Sequence, residues 1–217
     1  QPRRATEVAN RLDITRQGVH NALSPLKNRA MLSPAGPEYA LDTDISPLLT
    51  LARELVAHEH RSRVRTIAPS ATIEWCDPTR ALVRVQTSED TSALQSAANW
   101  HITGLARFQE YGLQFFLAGE PAFWYAPSEE LTPSEVVCHT LVLDSSSRRV
   151  GYSMLLIEAL DIDQDSLLNV ATTYDLQSTL TTMYRSLQGD LNASADQAAS
   201  LPSDSEFMTL KEQYGVS

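Results

Sequence analysis

The apolar positions of residues 5–26 fall into two short helical sets separated by a turn. Val8, Ala9 and Leu12 make the first, with the small Ala9 placed where two helices cross closely, and Asp13 occupies the turn. Ile14, Val19, Ala22, Leu23 and Leu26 make the second. Thr15 stands where an N-cap is wanted, its hydroxyl suited to accept a backbone amide at the start of a helix predicted over residues 15–29. With Val19, Ala22, Leu23 and Leu26 turned inward, the opposite face carries Thr15, Arg16, Gln17, His20 and Asn21. Such side chains bond base edges and phosphates. Ala30-Met31-Leu32 and Glu38-Tyr39-Ala40-Leu41 then flank the turn formers Ser33-Pro34-Ala35-Gly36-Pro37, which predicts a hairpin.

Beyond the hairpin, Ile45, Leu48, Leu49, Ala52, Leu55 and Val56 recur at helical spacing after Ser46-Pro47, predicting a connecting helix over 45–66. Its tail, residues 58–65, is a second basic cluster, suited either to flanking phosphates or to a solvated helix end. The pair His58 and His60 points in different directions on a helix and does not suggest a metal. Thr72-Ile73-Glu74-Trp75 and Ala81-Leu82-Val83-Arg84-Val85 read as one strand pair, and 113–118 with 122–125 as a second. A helix is predicted over 92–111, ending at Gly112. Thr132-Pro133-Ser134-Glu135 is a capping-box helix start. Helices are predicted at 133–143, 148–160, 164–174 and 177–188. The fold class is therefore α+β, a mixed or antiparallel sheet followed by a run of helices. Five segments are expected: 1–44, a connecting helix 45–66, an α+β domain 67–189, a polar linker 190–205 and a tail helix 206–217.

Residues 5–41 resemble the winged helix-turn-helix family of prokaryotic transcription regulators, a match over about a sixth of the chain. Asp13 stands where that family usually has a turn glycine, and the wing tip holds no Lys or Arg. The resemblance implies a recognition helix in the major groove and a further helix ahead of Ala5. Because the chain starts at Gln1 and not at Met, native residues before it are expected. The C-terminal half, through Asp163, Leu167, Leu168, Ala171 and Tyr174 near a terminal helix, loosely resembles abortive-infection antitoxin regulators. That family implies an autorepressor whose second domain neutralises a nucleotidyltransferase toxin.

Charge is segregated. Residues 1–30 hold six basic side chains, Arg3, Arg4, Arg11, Arg16, Lys27 and Arg29, against Glu7 and Asp13, in a chain of net charge −10. Beyond residue 66 there are seven basic and 20 acidic residues, so this part is not a DNA-binding surface. Of the 17 basic residues only Lys27 and Lys211 are lysine. Such an acidic, lysine-poor composition resembles proteins of salt-in halophiles, especially haloarchaea. No apolar run approaches the ~20 residues of a membrane span, and a cytoplasmic location is expected.

Candidate catalytic chemistry is sparse. Cys76 and Cys138 lie far apart and read as buried free thiols. Asp161-Ile162-Asp163-Gln164-Asp165 lacks the glycine and the bidentate Glu of a calcium loop and reads as a helix N-terminus. Trp100-His101 and Cys138-His139 read as core, with a metal or thiol site as the alternative. The expected function is a sequence-specific DNA-binding regulator, a repressor acting as a homodimer, with no catalytic residues, metal or cofactor. The DNA contacts are expected from Thr15, Arg16, Gln17, His20, Asn21, Lys27, Arg3, Arg4 and Arg29, while 67–188 supply dimerisation, partner binding or ligand sensing. The alternatives are an antitoxin-like interaction protein with a toxin partner, or a nucleotidyltransferase-like enzyme with a DNA-docking N-terminus.

Overall fold

The computed structural model describes residues 3–11, 14–29, 31–35, 38–42, 45–114, 121–126, 131–189 and 201–216. The chain divides into two compact units, Gln1–Leu55 and Val56–Ser217. The first unit contains β1 (Arg3–Arg4), α1 (Ala5–Arg11), α2 (Arg16–Asn28), β2 (Leu32–Ala35), β3 (Glu38–Leu41) and the first half of α3 (Ser46–Arg65). Its sheet has the order β1-β3-β2, all antiparallel. The hairpin strand runs on through Ser33, Pro34 and Ala35, which the sequence had suggested as turn. Pro34 is tolerated there because β2 is an edge strand. The expected turn at Asp13 and the tip at 36–37 lie outside the described residues.

The second unit is built on an antiparallel sheet of order β4-β5-β7-β6, from β4 (Thr72–Cys76), β5 (Ala81–Arg84), β6 (Trp100–Thr103) and β7 (Ala122–Tyr125). The sheet is thus α+β in class and antiparallel, not mixed. The two inner strands are buried on both faces. Leu82, Ala122 and Trp124 enter a large cluster with α5 (Pro133–Leu143), α6 (Ser147–Ala159), α7 (Gln164–Ala171) and α8 (Gln177–Leu187). Ala81, Val83, Val85 and Phe123 pack with Val64, Ala68 and Leu94 on the other side, covered by the end of α3 and by α4 (Ser88–Ser96). Period-two alternation with apolar residues at every position is what a doubly covered strand needs.

The helix expected over 92–111 is three elements. α4 starts earlier, where Thr87 accepts the Asp90 amide at 3.1 Å, and β6 and a 3-10 helix, Gly104–Tyr111, follow. Asn99 at φ 67° and Gly104 at φ 64° bracket β6, and neither conformation fits an α-helix. Trp100, Ile102 and Thr103 are the aromatic and β-branched types that favour strands, and they pair with Tyr125, Phe123 and Ala122 of β7. The strand expected over 113–118 falls mostly on residues outside the described set; Leu113 is buried and in no strand.

The later helices follow their local signals. Thr132 and Glu135 form the expected capping box, with Thr132 N donating to Glu135 Oε2 at 2.8 Å. Asp163 caps α7, accepting the Ser166 amide at 2.8 Å. The last helix, α9 (Asp204–Tyr214), has its own capping box from Ser203 and Glu206. It packs on α6, where a side chain at Gly151 would meet Leu210 Cδ1 at 3.1 Å, and Lys211 pairs with Glu158 at 2.5 Å. Residues 201–203 therefore belong to the body and not to the expected linker, whose residues 190–200 lie outside the described set.

His139, on α5, is fully buried against the Trp124 ring, their centroids 4.3 Å apart. Its Nδ1 is hydrogen-bonded to Thr103 Oγ1 at 2.8 Å and its Nε2 to the Tyr174 hydroxyl at 2.9 Å. Both ring nitrogens are satisfied within the core. Burial, with Arg80 nearby, holds the imidazole neutral and lowers its pKa to about 3. Burial also pushes the Cys138 thiol and the Tyr174 hydroxyl up. The unfolded chain takes up a proton at His139 below about pH 6.5, and the folded chain does not until about pH 3. Stability is therefore full above pH 6.5 and falls on acidification, by up to about 1.4 kcal/mol per pH unit for this one group. Urea unfolding between pH 6.5 and 4.5 checks this. His139→Gln, which still donates and accepts but does not titrate, is expected to flatten the slope, and equal slopes would refute the assignment.

Candidate nucleic-acid interface

α1 and α2 are short, and each needs the other to bury anything. Ala5, Ala9 and Val19 form a small core, with Val8, Leu23 and Tyr39 packed on it. Ala9 is the close-contact position, and its carbonyl accepts the Ile14 amide at 3.0 Å, holding the ends of the interhelical turn. Thr15 is the N-cap of α2: its backbone is extended and its hydroxyl accepts the Gly18 amide at 3.0 Å. A Thr cap of this kind is worth ~1 kcal/mol. The inward stripe is narrower than expected. Val19 is buried and Leu23 and Leu26 are half-buried, but Ala22 is exposed and Ile14 is 43% exposed. A helix resting on one short helix and a two-stranded hairpin has too few neighbours to cover a broad face.

Pro25 lies inside α2. It lacks the amide that would otherwise bond the Asn21 carbonyl, so the helix is weakened toward its C-terminal end while its first turns keep their bonds. Those turns hold the polar face. Arg16, Gln17 and Asn21 are exposed, and Gln17 Nε2 donates to Asn21 Oδ1 at 3.1 Å, aligning the two amides. Lys27 and Arg29 are exposed at the far end. Arg4 is exposed on β1; Arg3 pairs with Tyr39 in register, and its side chain lies outside the described residues. His20 differs from the expectation. It is half-buried, its Nδ1 is hydrogen-bonded to the Tyr39 hydroxyl at 3.1 Å, and the rings meet edge-on at 6.1 Å. Nothing in the local pattern signalled this pair, because its partners are 19 positions apart.

Two members of the basic cluster at the end of α3 are engaged within the protein. His60 is buried and donates through Nε2 to the Asp77 carbonyl at 2.8 Å, Arg63 pairs with Glu59 at 3.3 Å, and its guanidinium lies 5.1 Å from the Tyr125 ring centre. His58 is exposed on the other side, as the spacing requires. Asp77 in turn accepts the amides of Thr79 and Arg80 and the Arg80 guanidinium. Burial alone would raise its carboxyl pKa, but these bonds outweigh burial and lower it. Cys76 is half-buried rather than buried, and Cys138 is buried; neither is in a disulfide. Among the described residues no group of three or more His, Cys, Asp and Glu could hold a metal, and no helix is long and apolar enough to cross a membrane.

The second unit is where similarity to known proteins is found. Residues 97–216, more than half of the chain, match the family model described as HVO_2833_C, C-terminal. The chain belongs to the HVO_2833_C family. The match runs from just before β6 to the end of α9, so the HVO_2833_C region contains β6, β7 and all the later helices. Its β7 is covered on one edge by β5, which precedes the matched residues. No curated protein and no solved structure matches the chain.

Proposed function

We propose that this HVO_2833_C protein is a sequence-specific DNA-binding regulator of the winged helix-turn-helix kind, a repressor acting as a homodimer in the cytoplasm of a halophilic archaeon. The observation that carries the reading is the start of α2, capped by Thr15, with Gln17 and Asn21 exposed and paired on one face. Paired carboxamides suit the bidentate contact to adenine, and the surrounding arginines suit guanine or phosphate. The basic character of residues 1–30 in a chain of net −10 supports the same surface. The hairpin of β2 and β3 holds no Lys or Arg, so its share of phosphate binding is small. Gln17→Ala is expected to weaken a cognate duplex by ~1–3 kcal/mol and leave a scrambled one nearly unchanged. Lys27→Ala is expected to weaken both alike. Anisotropy titrations with the two duplexes test this, and equal effects of Gln17→Ala on both would remove the face from base readout.

The homodimer rests on α3. Leu48, Leu51 and Leu55 are 55%, 55% and 62% exposed and recur at three- and four-residue spacing. Such a stripe is what two helices bury against each other. Leu51→Glu, at an exposed position, is expected to convert the dimer to monomer in sedimentation without loss of helicity; an unchanged mass would place the dimer contact elsewhere.

The acidic remainder sets the salt response. At ~1 M salt the Debye length is about 3 Å, so long-range repulsion between DNA and the acidic second unit vanishes while close contacts persist. An ordinary regulator loses affinity steeply with salt through counterion release. Specific affinity here is expected to vary weakly with KCl, or to rise, between moderate and molar concentrations, with higher thermal stability at the upper end. A steep monotonic loss with a fluorescent operator duplex would overturn the halophilic reading.

A further inference from the structure

In the first unit a cavity of about 290 Å³ opens between β1, the start of α1, α2 and β3. It is lined by Arg4, Ala5, Thr6, Arg16, His20 and Tyr39. Every polar member can donate a hydrogen bond: two guanidinium groups, two hydroxyls and an imidazole. Among the described residues no carboxylate lines it; the nearby Glu7 accepts the Arg4 backbone amide at 3.3 Å. Arg16 and His20 are one turn apart on α2 and so share a face. The Tyr39 bond uses Nδ1 of His20, fixes the ring and leaves Nε2 for a ligand. Arg16 has no acidic partner among the described residues.

We propose that this cavity holds one phosphate group, and that the group is a backbone phosphodiester of bound nucleic acid. The choice of source rests on the DNA-binding reading above; the anion chemistry does not. A guanidinium fork meets two phosphate oxygens at once, the Thr6 hydroxyl adds a donor, and with the Tyr39 hydroxyl donating to Nδ1 of His20 the ring adds another through its Nε2–H. Arg16 and His20 are thereby reassigned from base edges to the backbone. Gln17 and Asn21 remain as the base-reading pair. The cavity also gives the hairpin a role that its uncharged tip does not: Tyr39 of β3 orients the histidine of α2.

Two measurements on the full chain test this together. In the first, inorganic phosphate is titrated at constant ionic strength and followed by the nitrogen-15 resonances of the His20 ring and the Thr6 and Arg16 amides. A saturable shift in the wild type that is lost in Arg16→Ala is expected, with Arg16→Lys and Tyr39→Phe giving intermediate binding. In the second, Arg16→Ala is titrated with cognate and scrambled duplexes, and about tenfold weaker binding to both by the same factor is expected. No saturable phosphate shift, or a loss confined to the cognate duplex, overturns the proposal and leaves Arg16 as a base reader with the DNA-binding reading intact. Saturable phosphate binding in a chain that binds no duplex keeps the anion site but overturns both its assignment to a nucleic-acid backbone and the regulator reading. Should Arg16→Ala fail to fold, Tyr39→Phe and Arg16→Lys carry the same comparison.

Discussion

Phe123 and Trp124 are neighbours in β7, point to opposite faces of the sheet, and are both fully buried. A four-residue strand with that property needs apolar cover on each side, and the whole second unit is the provision of that cover. On the Trp124 side stand α5 and α6, buried over most of their circumference, with α7 and α8 outside them. On the Phe123 side, α3 and α4 contribute Val64 and Leu94. Truncating either aromatic would cost about 3–5 kcal/mol, a large share of the stability of any domain.

The same burial explains the polar interior. α5 is central, and three of its buried polar residues find their partners within the protein. His139 has Thr103 and Tyr174, Thr140 bonds the Val136 carbonyl, and Glu135 closes the capping box. A His and a Cys adjacent on this helix do not form a reactive site, because the imidazole is neutral with both nitrogens engaged and the thiol is buried. The HVO_2833_C region is thus a packed body whose polar core specifies one arrangement, and its β7 depends on β5 from the residues before it.

The first unit works on the opposite principle. Among the described residues its buried core is Ala5, Ala9 and Val19, and most of its polar and basic side chains are exposed. Residues 1–30 hold six basic against two acidic side chains while residues 67–217 hold seven against 20, so charge is segregated along the chain. The pairing of Gln17 with Asn21 and of His20 with Tyr39 divides one helical face into an amide half and a cationic half.

Local signals were sufficient where the physics is local. The Thr15 cap, the Thr132–Glu135 box, the Asp163 cap and the hairpin strand Glu38–Leu41 were legible because each depends on residues within one turn or one strand. The failures came where distant residues decide. Residues 100–103 became a strand because β7 offered an edge, although the apolar spacing of 92–111 also suited a helix. Ala22 and Ile14 are exposed although the apolar spacing placed them inward, and Pro202 packs on the body because Gly151 leaves room for it. His20 is half-buried because Tyr39, on another element, is hydrogen-bonded to its ring. The sequence by itself determined the class, the helix starts and the charge of each segment, since caps, periodicity and ionisation are properties of neighbouring residues. Only the tertiary structure decided which strands pair, which helix faces are covered and which polar side chains meet, because those depend on what the rest of the chain brings within a few ångströms.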